Sequence, residues 1–193
     1  GLKVAHTDVE KTGVMTTVET VTGIDGSTYG LAADPARHRV LVGVTPPGTA
    51  PANGFAGARV VAVDTRTGKV AQQGEQTSVG KESIAVSDGQ VWIGGYGDVD
   101  KPRLMHLDAR TLQVIGSSPA SADLGPGTIL WPGSQVLWVR SGGSQQLACI
   151  DPSSGAILEQ WANVQGPVTS VSGHAFGVQY GLQPLTLGGG CAG

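Results

Sequence analysis

The chain has 193 residues with 15 acidic and 12 basic side chains, 14% charged residues and a formal net charge of −3, against about 25% charge in ordinary globular domains. That balance excludes the clustered Lys/Arg surface that nucleic acid or an acidic membrane attracts. With 39% apolar residues the chain can bury a core, and no apolar run approaches the roughly 18 residues of a membrane-spanning helix.

Glycine supplies 31 of the 193 residues, more than twice its usual share of about 7%. Val, Thr and Ser are abundant and helix formers scarce, which predicts short strands joined by tight turns. The N-terminal residues predict two strands, 3–8 and 14–22, around Val4-Ala5-His6-Thr7-Asp8. Further on, three segments repeat: Val60-Val61-Ala62-Val63-Asp64-Thr65-Arg66-Thr67-Gly68, Leu104-Met105-His106-Leu107-Asp108-Ala109-Arg110-Thr111, and Leu147-Ala148-Cys149-Ile150-Asp151-Pro152-Ser153-Ser154-Gly155. Their aspartates are 44 and 43 residues apart. Between them runs a second pattern, seen in Ser83-Ile84-Ala85-Val86-Ser87-Asp88-Gly89-Gln90-Val91-Trp92-Ile93-Gly94, in 128–139 and in 169–178. Each copy is an apolar run, a turn and another apolar run, the mark of a hairpin.

Each unit is therefore two hairpins, strands a-b-c-d, with the repeat Asp capping the c–d turn. A four-stranded antiparallel unit of about 40–45 residues has the period of a propeller blade. Leu104 to Ile115 alone also fits an amphipathic helix, but its equivalents at 60–70 and 147–157 carry β-branched runs with Pro or Gly, and the repeat decides for strands. The expected architecture is one all-β propeller domain, 1–193, with four-stranded antiparallel blades at about 28–73, 83–117, 127–161 and 168–193.

The run Val63-Asp64-Thr65-Arg66-Thr67-Gly68-Lys69-Val70, followed by 84–93, resembles the YVTN-type β-propeller repeat. It is also similar to propellers of the virginiamycin B lyase and quinoprotein kind. The resemblance covers nearly the whole chain and implies fold more than activity, since such repeats serve lyases, lactonase-like enzymes and scaffolds. Three closures remain open. Residues 1–22 complete the last blade and give four blades, or the chain is part of a larger propeller, or two copies make a ring of eight.

By analogy with such propellers, ligands meet the face made by b–c and d–a loops. Here the b–c loops are 46–57, 95–102, 140–144 and 179–182, and the d–a loops 23–28, 73–82, 118–127 and 163–167. The candidate ligand-binding residues on that face are Tyr29, Glu82, Tyr96, Asp98, Arg140 and Tyr180, since convergent polar and aromatic groups make a ligand site. No metal and no cofactor is expected. Lactonase-like propellers hold Ca²⁺ in the channel, which needs converging carboxylates, and only Glu82 starts an inner strand. His6, His106 and Cys149 hold equivalent places two residues before a repeat Asp, on strands that do not converge. Trp92, Trp138 and Phe176 read as inter-blade packing, and Trp131, beside a turn, as exposed. No Gly-x-Ser-x-Gly elbow is present.

The leading expectation is a non-catalytic binding or scaffold module presenting loops to a small ligand or protein partner, with self-association if the ring is incomplete, and no nucleic acid or membrane span. The alternative is a lyase- or lactonase-like enzyme using Glu82, Tyr29 and Tyr96 at the channel mouth. Cys149 and Cys191 form one bridge, or Cys149 is a buried apolar residue. Low Lys content, the single potential bridge and the family resemblance point to an exported, extracellular or periplasmic, bacterial protein.

Overall fold

A computed structural model describes residues 2–7, 15–21, 23–47, 57–79, 83–95, 103–118, 128–133, 135–141, 146–162, 164–171, 174–178, 182–185 and Cys191, and of residues 2–7, 15–20, 128, 165–171, 174–178 and 182–185 the backbone alone. The N-terminal strands are β1 (Leu2–Thr7) and β2 (Met15–Val21). The first blade is β3 (Ser27–Asp34), β4 (Arg39–Thr45), β5 (Arg59–Asp64) and β6 (Val70–Gln76). The second is β7 (Ser83–Ser87), β8 (Gln90–Gly94), β9 (Leu104–Asp108) and β10 (Val114–Ser117). The third is β11 (Thr128–Pro132), β12 (Leu137–Ser141), β13 (Gln146–Ile150) and β14 (Ile157–Trp161). Last come β15 (Gln165–Val171), β16 (His174–Val178) and β17 (Leu182–Leu185). A 3-10 turn at Pro35–Arg37 is the one helical element among the described residues.

Each blade is a four-stranded antiparallel meander in chain order, while β1–β2 form a two-stranded sheet and β15–β17 a three-stranded one. Leu104 to Ile115, helical on its local periodicity, forms β9 and β10. The repeat aspartates explain the c–d turns. Asp64 Oδ1 accepts the backbone N–H groups of Arg66 at 2.8 Å and Thr67 at 2.9 Å. Asp108 Oδ1 accepts those of Arg110 and Thr111 at 2.9 and 2.7 Å, and Asp151 Oδ1 that of Ser153 at 2.8 Å. Four residues after each Asp, the turn closes through the N–H of Gly68, Leu112 or Gly155 onto the Asp carbonyl. That residue is left-handed, with φ of 64°, 55° and 71°, so two blades use Gly and one forces a Leu into the same backbone.

Alternation along the strands sends one set of side chains to the preceding blade and the other to the following one. Leu41 and Val60 of the first blade meet Ile84, Val91 and Ile93 of the second. Ala85, Trp92 and Leu104 of the second meet Leu130, Leu137 and Val139 of the third. Trp138, Leu147 and Cys149 of the third meet Val164 and Cys191. On the opposite side of the first blade, Val21 and Ile24 cover Val42, Val44, Val61 and Val63. The sheets thus stack face to face in chain order. Trp92 and Trp138 are buried in these seams, as expected. Trp131, expected to be exposed, is half-buried against the cluster around Trp138, because its strand partner is Trp138 itself.

Polar side chains latch each blade to the next. Gln72 Nε2 donates to the Thr111 carbonyl at 2.5 Å. Gln90 Nε2 donates to the Ser153 carbonyl at 3.5 Å, and the Ser118 hydroxyl to the Gly155 carbonyl. The first latch is braced from behind, since Arg39 reaches Gln72 Oε1 at 3.3 Å and pairs with buried Asp34 at 2.8 Å. Cys149 and Cys191 are joined by a disulfide, with Cα atoms 6.1 Å apart.

Candidate ligand groove on the loop face

At the first blade, the described ends of the b–c loop lie close to the d–a segments on either side. Gly26, in the loop between β2 and β3, sits at φ 129°, and a Cβ there would lie 2.1 Å from the Thr45 carbonyl oxygen. Only glycine lets that loop cross so close to the end of β4. At the far side of the b–c loop, the Ala58 N–H donates to the Val79 carbonyl at 2.9 Å and the Thr77 N–H to the Ala58 carbonyl at 2.8 Å. The loop ends are therefore fixed by backbone bonds between b–c and d–a segments.

These anchors frame a groove of about 290 Å³, lined by Gly23, Ile24, Asp25, Val44, Pro46, Pro47, Arg59, Val61 and Gln73. Its floor is apolar, from Ile24, Val44, Val61 and the two prolines. One wall is polar. Arg59 Nη1 donates to Gln73 Oε1 at 3.2 Å, and Gln73 Nε2 donates to the Gly23 carbonyl at 3.5 Å. Arg59 Nε is buried and has no hydrogen-bond partner. Placing a guanidinium N–H out of water without an acceptor is costly, and Arg59 is among the residues that line the groove. Asp25, also in the lining, is exposed. No Ser, Cys, His or Lys stands among these lining residues, so no nucleophile–base pair is assembled there.

The groove draws on the 23–28 and 46–57 loops of the face expected from sequence and on β4, β5 and β6 of the first blade. Of the six candidate residues, Tyr29 is half-buried on β3, opposite Gly43. Arg140 is half-buried on β12, opposite Ile129, with its Nε buried and without a partner. The two sit on the first and third blades with the second between them. Glu82, Tyr96, Asp98 and Tyr180 lie outside the described residues. Arg59 and Gln73 were missed. Their signal was present, since five residues before each repeat Asp stands a polar side chain, Arg59, Arg103 or Gln146, but a repeated position reads as architecture. Arg140 shows the opposite signal. By strand register it holds the place of Gly43 and Gly94, and a Cβ at Gly43 would stand 2.5 Å from the Tyr29 carbonyl oxygen and 3.2 Å from Ile84.

A second cavity of about 270 Å³ opens at the other end of the blades, between Ser87, Asp88, Gln135, Asp151 and Pro152. The Asp151 carboxylate is committed there to its own turn. His106 is half-buried, stacked on Trp92 and bonded to Gln90, and Cys149 is in the disulfide. Among the described residues no three His, Cys, Asp or Glu side chains gather as metal ligands, and no helix is long and apolar enough to cross a membrane.

No known family profile matches the chain, and no curated protein matches it in sequence. Solved structures do match in shape. The chain is similar to the computationally designed Ika4 protein, with a TM-score of 0.62 and 12% identity over 88% of this chain and 96% of that one. It is similar to the designed Ika8 protein, with a TM-score of 0.57 and 12% identity over 86% of this chain and 47% of that one. It also matches the Kuenenia stuttgartiensis hydrazine synthase, with a TM-score of 0.59 and 12% identity over 91% of this chain and 49% of that one. It thus spans about half the length of the last two. At such identity the likeness concerns the fold alone. With its stacked antiparallel meanders, the protein is an all-β propeller of four-stranded blades.

Proposed function

We propose that the protein is a non-catalytic binding propeller that holds a small amphiphilic anion in the groove beside Arg59. One observation carries this reading: Arg59, whose buried Nε–H has no acceptor, lines a groove with mostly apolar neighbours. A carboxylate or similar oxyanion head supplies the missing acceptor in a charge-assisted bond. A short hydrocarbon tail lies on Ile24, Val44 and the prolines. A groove of this size suits a ligand at the small end of the usual range. The rigid stack of blades serves as the scaffold that presents these loops.

The test is a titration with hexanoate, followed by the Arg59 side-chain Nε–H resonance in NMR, with hexanol as the uncharged control. Hexanoate shifts that resonance in a saturable manner, hexanol does so far more weakly, and Arg59→Gln removes the effect. Equal response to both compounds, or unchanged binding by Arg59→Gln, refutes the reading.

Kinship with YVTN-type repeats belongs to the same proposal and is supported by the Asp-Thr-x-Thr-Gly turn at 64–68. So does export from a bacterial cell. The Cys149–Cys191 bridge supports an oxidising compartment, and finding both thiols free in protein from its native host would count against it.

A further inference from the structure

Two of the groove's lining side chains belong to charged residues, Arg59 and Asp25. They do not pair with each other. Among the described residues the ion pairs are Asp34 with Arg37, Asp34 with Arg39, and Asp64 with Arg66. The Arg59 guanidinium instead bonds the neutral amide of Gln73. Opposite charges thus share one small cavity without closing on each other. A ligand that is only an anion satisfies Arg59 and sets a second negative charge beside Asp25, a juxtaposition that costs affinity. A ligand with a charge of each sign meets both.

The backbone holds both charges in place. Ile24, just before Asp25, is 7% exposed and packed into the cluster with Val44 and Val61. Gly26, just after it, runs at φ 129° so close to the Thr45 carbonyl that no Cβ fits. One neighbour of Asp25 is therefore fixed by packing and the other by a close backbone approach. Arg59 stands on β5, paired with Val44 on β4 and Gln76 on β6. Charges mounted on anchored backbone lose little freedom when a ligand arrives, which favours binding.

We propose that the ligand of this groove is a free α-amino acid with an aliphatic side chain. Its carboxylate meets Arg59, its α-ammonium meets Asp25, and its side chain lies on Ile24, Val44 and Val61. The assignment rests on the Arg59 reading above and adds the second charge to it. Three kinds of lining group, a cation, a carboxylate and an apolar surface, are matched by three substituents on one carbon. A chain with its charges at opposite ends has no free tail for the apolar residues. An amino acid also suits a cavity of about 290 Å³, at the small end for ligand sites.

Norleucine is hexanoate with an ammonium on its α-carbon, so this pair isolates the second charge. Both are titrated at neutral pH and low salt into wild type and Asp25→Asn, together with 6-aminohexanoate, and the Arg59 Nε–H resonance is followed. Norleucine is expected to bind wild type about fivefold more tightly than hexanoate, the worth of one exposed ion pair. The 6-amino isomer binds more weakly than norleucine. In Asp25→Asn, norleucine loses its advantage while hexanoate binds at least as well as before. Asp25 is exposed, and an unchanged backbone amide spectrum shows that the variant keeps the fold. Norleucine no tighter than hexanoate, equal losses of both in Asp25→Asn, or 6-aminohexanoate as tight as norleucine overturns the amino-acid assignment. If hexanoate still shifts Arg59 in those cases, the Arg59 site stands without it. An Arg59 resonance silent to all three compounds removes both.

Discussion

The imidazole of His106 lies flat on the indole of Trp92, with ring centroids 4.6 Å apart and planes inclined by 10°. Its Nδ1 is 2.5 Å from Gln90 Oε1, within hydrogen-bonding distance. Burial holds the imidazole below its ordinary 6.5, so the folded protein keeps it neutral where the unfolded chain protonates it. Stability from this group is complete above pH 6.5 and is lost as pH falls through the lower folded value. The difference in unfolding free energy between wild type and His106→Phe, which keeps an aromatic ring, is expected to shrink from pH 7 to pH 5. Parallel profiles would show that the ring does not titrate in this way.

The capped turns titrate in a lower window. Hydrogen bonds lower the carboxyl groups of Asp64, Asp108 and Asp151 below 3.8, chiefly from the Arg66 side chain, the Thr111 backbone and the Ser153 hydroxyl respectively. Their contribution is present above 3.8 and fades as pH drops through the folded values. Replacing all three by Asn should flatten the loss of stability below pH 4 while leaving the pattern at pH 7 similar in shape. Carboxyl titration by NMR would give midpoints under 3.8; midpoints at or above it would contradict the capping geometry.

Leu112 reverses a common rule. It is fully buried, yet stands at φ 55° where its equivalents are Gly68 and Gly155. The left-handed backbone costs a non-glycine residue about 1–2 kcal/mol, and burying the leucine returns more, since Leu→Ala in a core costs about 2–5 kcal/mol. Leu112→Ala loses the packing and keeps the strain. Leu112→Gly loses the packing and sheds the strain. Denaturant unfolding is expected to rank wild type first, then Gly, then Ala about 1 kcal/mol lower. Ala above Gly would mean that the turn is not held left-handed.

The disulfide closes a loop of 42 residues. Removing such a cross-link costs about 2–4 kcal/mol. Cys149→Ala/Cys191→Ala should fall in stability by that amount. Trp138 and Trp161, 5.7 Å apart in the same cluster, should report a local change in fluorescence. Unchanged stability would indicate that the C-terminal segment is held by packing alone.

The blades were legible because Asp64, Asp108 and Asp151 repeat a local turn chemistry that needs no tertiary information. Alternation around Trp92 and Trp138 likewise revealed the seams. The cysteine bridge was not decidable, since sequence distance does not say whether two Cα atoms approach to 6.1 Å. The groove was half legible. Its loops were located, but Arg59 and Gln73 gain meaning only when β5 and β6 bring them side by side under Gly23. Leu31 looked like any strand leucine. It is 66% exposed where its register equivalents Ile84 and Leu130 are buried, and one sequence does not show that.

The bonds that Gln72, Gln90 and Ser118 throw across the seams all end on main-chain carbonyls of the next c–d turn. What a blade asks of its neighbour is thus a backbone shape, and an aspartate is enough to set it. Such units are interchangeable cassettes. One can be duplicated, deleted or recombined with a distant relative's without re-evolving a matched pair of side chains, which leaves the loops free to diverge toward new cargo.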